Sequence, residues 1–291
     1  EVHTHTNPLF RPAADTNHGR IVKPYEFPRF KPLPRRLLPI AKKKTLELMG
    51  NQCDRNAQEQ LWAPDWRKKV KNGEWPANLV GGFCVPIIRK EDGSFDLQEM
   101  KNRITAHYAR TNNQGPLIDV GVMAIAYSTP GVRQHKDKVL LERIALGLDF
   151  IRRAQAENGA FYSVWSPGVW VGGPKRIWAS GTPLEGNGHR GFGYAVWLTA
   201  DDMEKAGLLD EKIDDDCNPD TPPIPRRQAY LDLFSASAGY LMSRGGHAPN
   251  QEMYQLDGLF MQIKALKMLN APKDRMPDPQ KLEDRAKVAC G

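Results

Sequence analysis

Residues Gly186–Trp197 read Gly-Asn-Gly-His-Arg-Gly-Phe-Gly-Tyr-Ala-Val-Trp, which gathers four glycines, an amide, an imidazole, a guanidinium and a phenol into a dozen positions. Glycines let a backbone bend and come close to a ligand. Asn187, His189, Arg190 and Tyr194 supply a neutral donor, a titratable group, a fixed cation and a weak acid. The apolar residues that follow, Ala195 to Leu198, predict a buried helix. If that helix begins near Gly188, Arg190 and Tyr194 lie four apart on one face. The other reading of the stretch is a glycine-rich turn between helices, its polar side chains capping backbone.

The same layout occurs twice more. Arg110-Thr-Asn-Asn-Gln-Gly-Pro116 precedes Leu117–Tyr127, apolar nearly throughout, and so brings Asn112 and Asn113 to the mouth of a core helix. Arg244-Gly-Gly-His-Ala-Pro-Asn-Gln251 precedes the apolar stretch from Met253 to Leu269. His247, Asn250, Gln251 and Tyr254 form a second set there, with Asn250 and Tyr254 again four apart. Asp119 falls inside an apolar helix, where a carboxylate needs a partner or a catalytic task. Trp165, Trp170 and Trp178 lie in the Gly/Pro-rich segment before the glycine stretch, as core or as flat platforms for sugars.

The elements that must position these residues are helical. Periodicity predicts helices over Leu37–Met49, Phe95–Tyr108, Lys136–Ala156 and Arg226–Ser243, with Asn158-Gly159 as a left-handed stop and a short helix in the tail. The acidic loop from Asp210 to Pro225 lacks the ligand spacing of a calcium hand and reads as solvated. Residues 1–35 form an extended arm that Pro8, Pro12, Pro24, Pro28, Pro32 and Pro34 keep from regular structure. A single helical domain occupies 36–291.

Composition bounds the function classes. The chain of 291 residues carries 40% hydrophobic and 26% charged residues and a net charge of +7, much of it between Arg20 and Lys44. That balance is globular and suits an acidic polymer. No apolar run is long enough to span a bilayer, so no membrane partner is expected. Cys53, Cys84, Cys217 and Cys290 are scattered without zinc spacing, and their even number leans towards disulfides and a secreted chain. No metal or other cofactor is expected. There is no phosphate-binding loop, His-Glu-x-x-His or Gly-x-Ser-x-Gly, and no zinc finger or RNP motif that would favour nucleic acid.

Helical hairpins whose buried inner helices start at one rim would put the three polar turns around a single mouth. On Asn158-Gly-Ala-Phe161, His189-Arg-Gly-Phe-Gly-Tyr194 and Asn112-Asn113, the chain resembles the α/α-toroid polysaccharide lyases, the group of hyaluronate, chondroitin and alginate lyases. The resemblance spans Asn112 to Leu269. It implies a mainly α fold, an incomplete or compact α/α toroid of hairpins behind the extended arm, and β-elimination of a uronate-containing glycan. Asn112 or Asn113 and Arg190 would then neutralise the uronate carboxylate, His189 would be the base and Tyr194 the acid. His247, Asn250 and Tyr254 form the competing set, while Asn187, Gln251 and the three tryptophans would touch substrate.

Two other classes stay open. A glycoside hydrolase would use a pair of carboxylates, for which Glu185 and Asp119 are available. A non-enzymatic scaffold would use the basic arm to hold a partner subunit.

Overall fold

The computed structural model describes residues 30–53, 80–83, 90–92, 96, 114–155, 158–161, 185–216, 220–243 and 249–290. The chain divides into two units, Glu1–Lys31 and Pro32–Gly291, and every described helix and strand belongs to the second.

This second unit is mainly helical, with seven α-helices among the described residues: α1 (Leu38–Asn51), α2 (Gln114–Ser128), α3 (Lys138–Ala154), α4 (Glu185–Lys205), α5 (Arg226–Ser243), α6 (Pro249–Met268) and α7 (Pro279–Cys290). A short antiparallel pair, β1 (Lys212–Ile213) with β2 (Ile224–Pro225), closes the loop between α4 and α5. Local chemistry sets several ends. Asp137 accepts the Leu140 amide at the start of α3, and Gly207, at φ 73°, follows α4 in the left-handed conformation. Pro249 opens α6 four residues before the apolar pattern begins, at a position where a missing N–H costs nothing. Apart from Asp96, the helix expected over Phe95–Tyr108 lies outside the described residues.

Consecutive helices fold back as hairpins. Lys136 donates its amide to Tyr127 O between α2 and α3. Arg227 pairs with Glu204 where α4 turns into α5, and Arg285 of α7 pairs with Glu252 of α6. The first members of these pairs run parallel side by side. Leu117 of α2 meets Gly188 of α4, Gly121 meets Gly191, and Ser128 Oγ lies 3.4 Å from Leu198 O. Arg190 of α4 pairs with Asp257 of α6, and Trp197 carries Lys264 above its ring. The helices α2, α4 and α6 therefore begin at a common end.

The glycine stretch is a helix, where sequence reading allowed a turn ahead of one. Its glycines answer to packing on two sides. A Cβ on Gly191 would stand 2.4 Å from Leu117 O of α2, and one on Gly193 would stand 2.7 Å from Met261 Cβ of α6. Only hydrogen fits where the backbones come this close. Gly159, at φ 85°, turns the chain after α3, and a Cβ there would meet Ala236 O at 2.0 Å.

The core lies between the two sets of helices, around Met123, Leu140, Leu148, Phe192, Tyr230 and Phe234. Ala195 and Val196 join it as expected, whereas Trp197 and Leu198 keep part of their surface in solvent. The acidic loop is tied down where a solvated loop was expected. Asp215 is buried against Arg152 at 3.1 Å, and Arg153 donates to Asp214 O at 3.0 Å. Burial raises the Asp215 carboxyl pKa, with Arg152 opposing.

Candidate functional site

A helix turns 100° per residue, so α4 sends successive residues of the glycine stretch in different directions. His189 points inward. It is wholly buried, edge-on to Phe161 with centroids 5.2 Å apart, beside Phe192 at 5.4 Å and stacked nearly parallel to the Tyr240 ring at 6.1 Å. Neither ring nitrogen has a hydrogen-bond partner among the described residues. Burial lowers its pKa to about 3, so the imidazole is neutral at ordinary pH. The ring expected as a base thus packs in the interior, in contact with Phe161 of the Asn158–Phe161 turn.

Arg190, Tyr194 and Trp197 follow at i, i+4 and i+7 on the accessible face of α4. Arg190 Nη1 lies 2.9 Å from Asp257 Oδ2, with both side chains partly in solvent. Tyr194 and Trp197 stand with ring centroids 5.5 Å apart and planes 46° to each other. Lys264 Nζ sits 5.8 Å from the Trp197 ring centroid, within cation–π range. Tyr254 is exposed one turn before Asp257 on α6.

The seam between α4 and α6 is regular. Asp257 lies 67 positions after Arg190, and Lys264 lies the same distance after Trp197. The two cross-pairs are two helical turns apart, about 10 Å along the axis. Arg190 also stands near the end where α2, α4 and α6 begin, whose helix dipoles add positive potential. This surface offers cations for an acidic group, a phenol for proton transfer and aromatic rings for the apolar face of a sugar.

The backbones of Glu185 and Asn187 form the first turn of α4, and those of Asn250 and Gln251 the first turn of α6; their side chains lie outside the described residues. Asn112, Asn113, Trp165, Trp170, Trp178 and His247 also lie outside them. Asp119 is turned towards α1, where Lys44 and Glu47 act on it, and burial raises its pKa against the pull of Lys44. Of the four cysteines only Cys53 is described with its side chain, and it is buried. Any disulfide also involves Cys84, Cys217 or Cys290, whose side chains lie outside the described residues.

Among the described residues no three His, Cys, Asp or Glu side chains come together as a metal site, and no helix is long and apolar enough to cross a membrane. Trp197, Asp257 and Lys264 were not singled out from sequence. The i, i+7 repeat of Arg190 with Trp197 and of Asp257 with Lys264 was visible, but nothing in one chain said that these two stripes face each other. The fold and the seam define a mainly α protein of paired helices with a charged and aromatic, partly exposed seam. The chain matches no protein-family model, no curated protein and no solved structure.

Proposed function

We propose that the protein is a lyase that cleaves an acidic, uronate-containing polysaccharide by β-elimination, on a toroid-like arrangement of α/α hairpins. The observation that carries this reading is the placement of Arg190 and Tyr194 one turn apart on the accessible face of α4, with Arg190 paired to Asp257 and Tyr254 exposed one turn before Asp257 on α6. Elimination removes a weakly acidic proton beside a carboxylate, so the charge spreading into that carboxylate must be offset. Arg190 does this in the proposed reaction, assisted by the amides of Asn112 or Asn113. Tyr194 returns a proton to the leaving oxygen, and His247 or Tyr254 takes the proton from carbon. His189, neutral and interior, holds the first turn of α4 in place. Secretion, disulfides between the cysteines and the absence of a cofactor belong to the same proposal.

The test is the ultraviolet absorbance of the conjugated unsaturated uronate while the protein is incubated with polyuronates and glycosaminoglycans. A rise abolished by Tyr194→Phe and by Arg190→Ala supports the reading. No rise from a folded protein on any of them overturns it.

A second reading is a glycoside hydrolase, since burial raises the Asp119 carboxyl pKa, the direction in which a glycosidase tunes its general acid. Its partner would be Glu185. New reducing ends without unsaturation, lost on Asp119→Asn, would replace the lyase with the hydrolase. The basic arm as anchor for a partner subunit is the non-enzymatic alternative, and its removal would abolish assembly while sparing any catalysis.

A further inference from the structure

The Arg190–Asp257 pair is unusual among the contacts of this seam because it spends a cation on an internal carboxylate at the point where the proposed reaction needs one free. The side chains are 40% and 45% exposed, with 2.9 Å between Nη1 and Oδ2. Pairs this accessible are worth little in net free energy, so a second carboxylate can take the guanidinium from the first. Two turns along, the Trp197 ring holds the Lys264 ammonium, which places a second cation on the same seam. Ordering its rotamers is one cost a lysine meets on binding an anion, and the indole face already restrains Lys264.

We infer that the α4–α6 seam is a two-point site for an acidic oligosaccharide, in which Asp257 is a built-in competitor for Arg190. One acidic group of the ligand displaces Asp257 from Arg190. The other is received by Lys264 over Trp197, about 10 Å further on. A neutral sugar gains nothing by displacing Asp257, so the pair acts as a filter for charge as well as a resting contact. The ligand class rests on the lyase reading; the competition between carboxylates does not.

The experiment is calorimetric titration of the full chain with oligogalacturonates and with neutral cello-oligosaccharides of equal length, at low and at physiological salt. Asp257→Asn should bind the acidic series roughly fivefold tighter and Lys264→Met roughly fivefold weaker, with no gain for the neutral series. Asp257→Glu should restore the parental affinity. Lys264→Met should also flatten the salt dependence of binding. Both substituted positions are partly exposed, and unchanged helical content and melting temperature verify the fold. Unchanged or weaker acidic binding by Asp257→Asn, or parental binding by Lys264→Met, overturns the inference. Binding that shifts as described without any unsaturated product would sink the lyase reading and keep the seam. Product formed by a protein whose affinity ignores both substitutions would do the reverse.

Discussion

Arg226, in the first turn of α5, reaches Asp149 of α3 with Nε and Nη2 at 2.9 and 3.1 Å, and both side chains are removed from solvent. The same guanidinium donates to Leu208 O and to Glu211 Oε2, while the Tyr230 hydroxyl donates to Asp149 Oδ1 at 2.9 Å. Burial, reinforced by Asp149, drives the Tyr230 pKa far up and keeps the phenol protonated. Every member of the network is satisfied, so it fixes the relative position of α3 and α5, the helices behind the α2–α4–α6 row. Removing one partner leaves the other charge buried and unpaired. Arg226→Met should therefore cost about 3–5 kcal/mol in denaturant unfolding, and the double variant Arg226→Met/Asp149→Leu should recover much of that loss. A double variant as unstable as the sum of the singles would show that the pair is not coupled.

The glycines of α4 make a sharper comparison. Gly191→Ala forces a methyl against the backbone of α2 and should destabilise by about 2 kcal/mol or more. Gly239, in the middle of α5, has nothing within 4 Å of a built Cβ. Gly239→Ala should then stabilise by about 0.5–1 kcal/mol through helix propensity. Thermal or denaturant unfolding of the two variants reads both signs, and equal effects would contradict the close approach of α2 and α4.

His189 predicts an acid limb in stability. Its pKa is about 3 in the folded chain and 6.5 when unperturbed. Above 6.5 both states hold it neutral and its contribution is complete. As pH falls from 6.5 towards 3, the unfolded chain takes up a proton that the folded chain refuses, and stability declines by up to about 1.4 kcal/mol per pH unit. His189→Phe, which keeps an aromatic ring in the cluster, should flatten this limb. An identical pH profile in parent and variant would mean that the ring titrates normally in the fold.

For the proposed chemistry, Tyr194→Phe should lower turnover about 10²–10⁴-fold while leaving the melting temperature nearly unchanged, because the side chain is only partly buried and keeps its ring against Trp197. Tyr254→Phe should do the same only if α6 supplies the base. Rates of unsaturated-uronate formation for the two variants, measured beside their melting curves, separate these roles.

Helix positions were legible in the chain because apolar periodicity and terminal signals are local. Leu117–Tyr127 falls within α2, Arg226–Ser243 coincides with α5, and Asn158-Gly159 supplies the left-handed glycine after α3. The row of α2, α4 and α6 beginning at one end was suggested by three polar stretches preceding three apolar runs. What tertiary structure alone decided was direction. The residues of Gly186–Trp197 were present in sequence as one mixed group, yet a helix distributes them: glycines to the neighbouring backbones, His189 to the aromatic interior, and Arg190, Tyr194 and Trp197 to the seam. A glycine needed for close packing and a glycine needed for a ligand are the same letter, and an imidazole has no sign in sequence of whether it will be desolvated. Nor does spacing within α4 announce that Asp257 and Lys264 will stand opposite, because that register is set by Gly193 against Met261 across two backbones far apart in the chain.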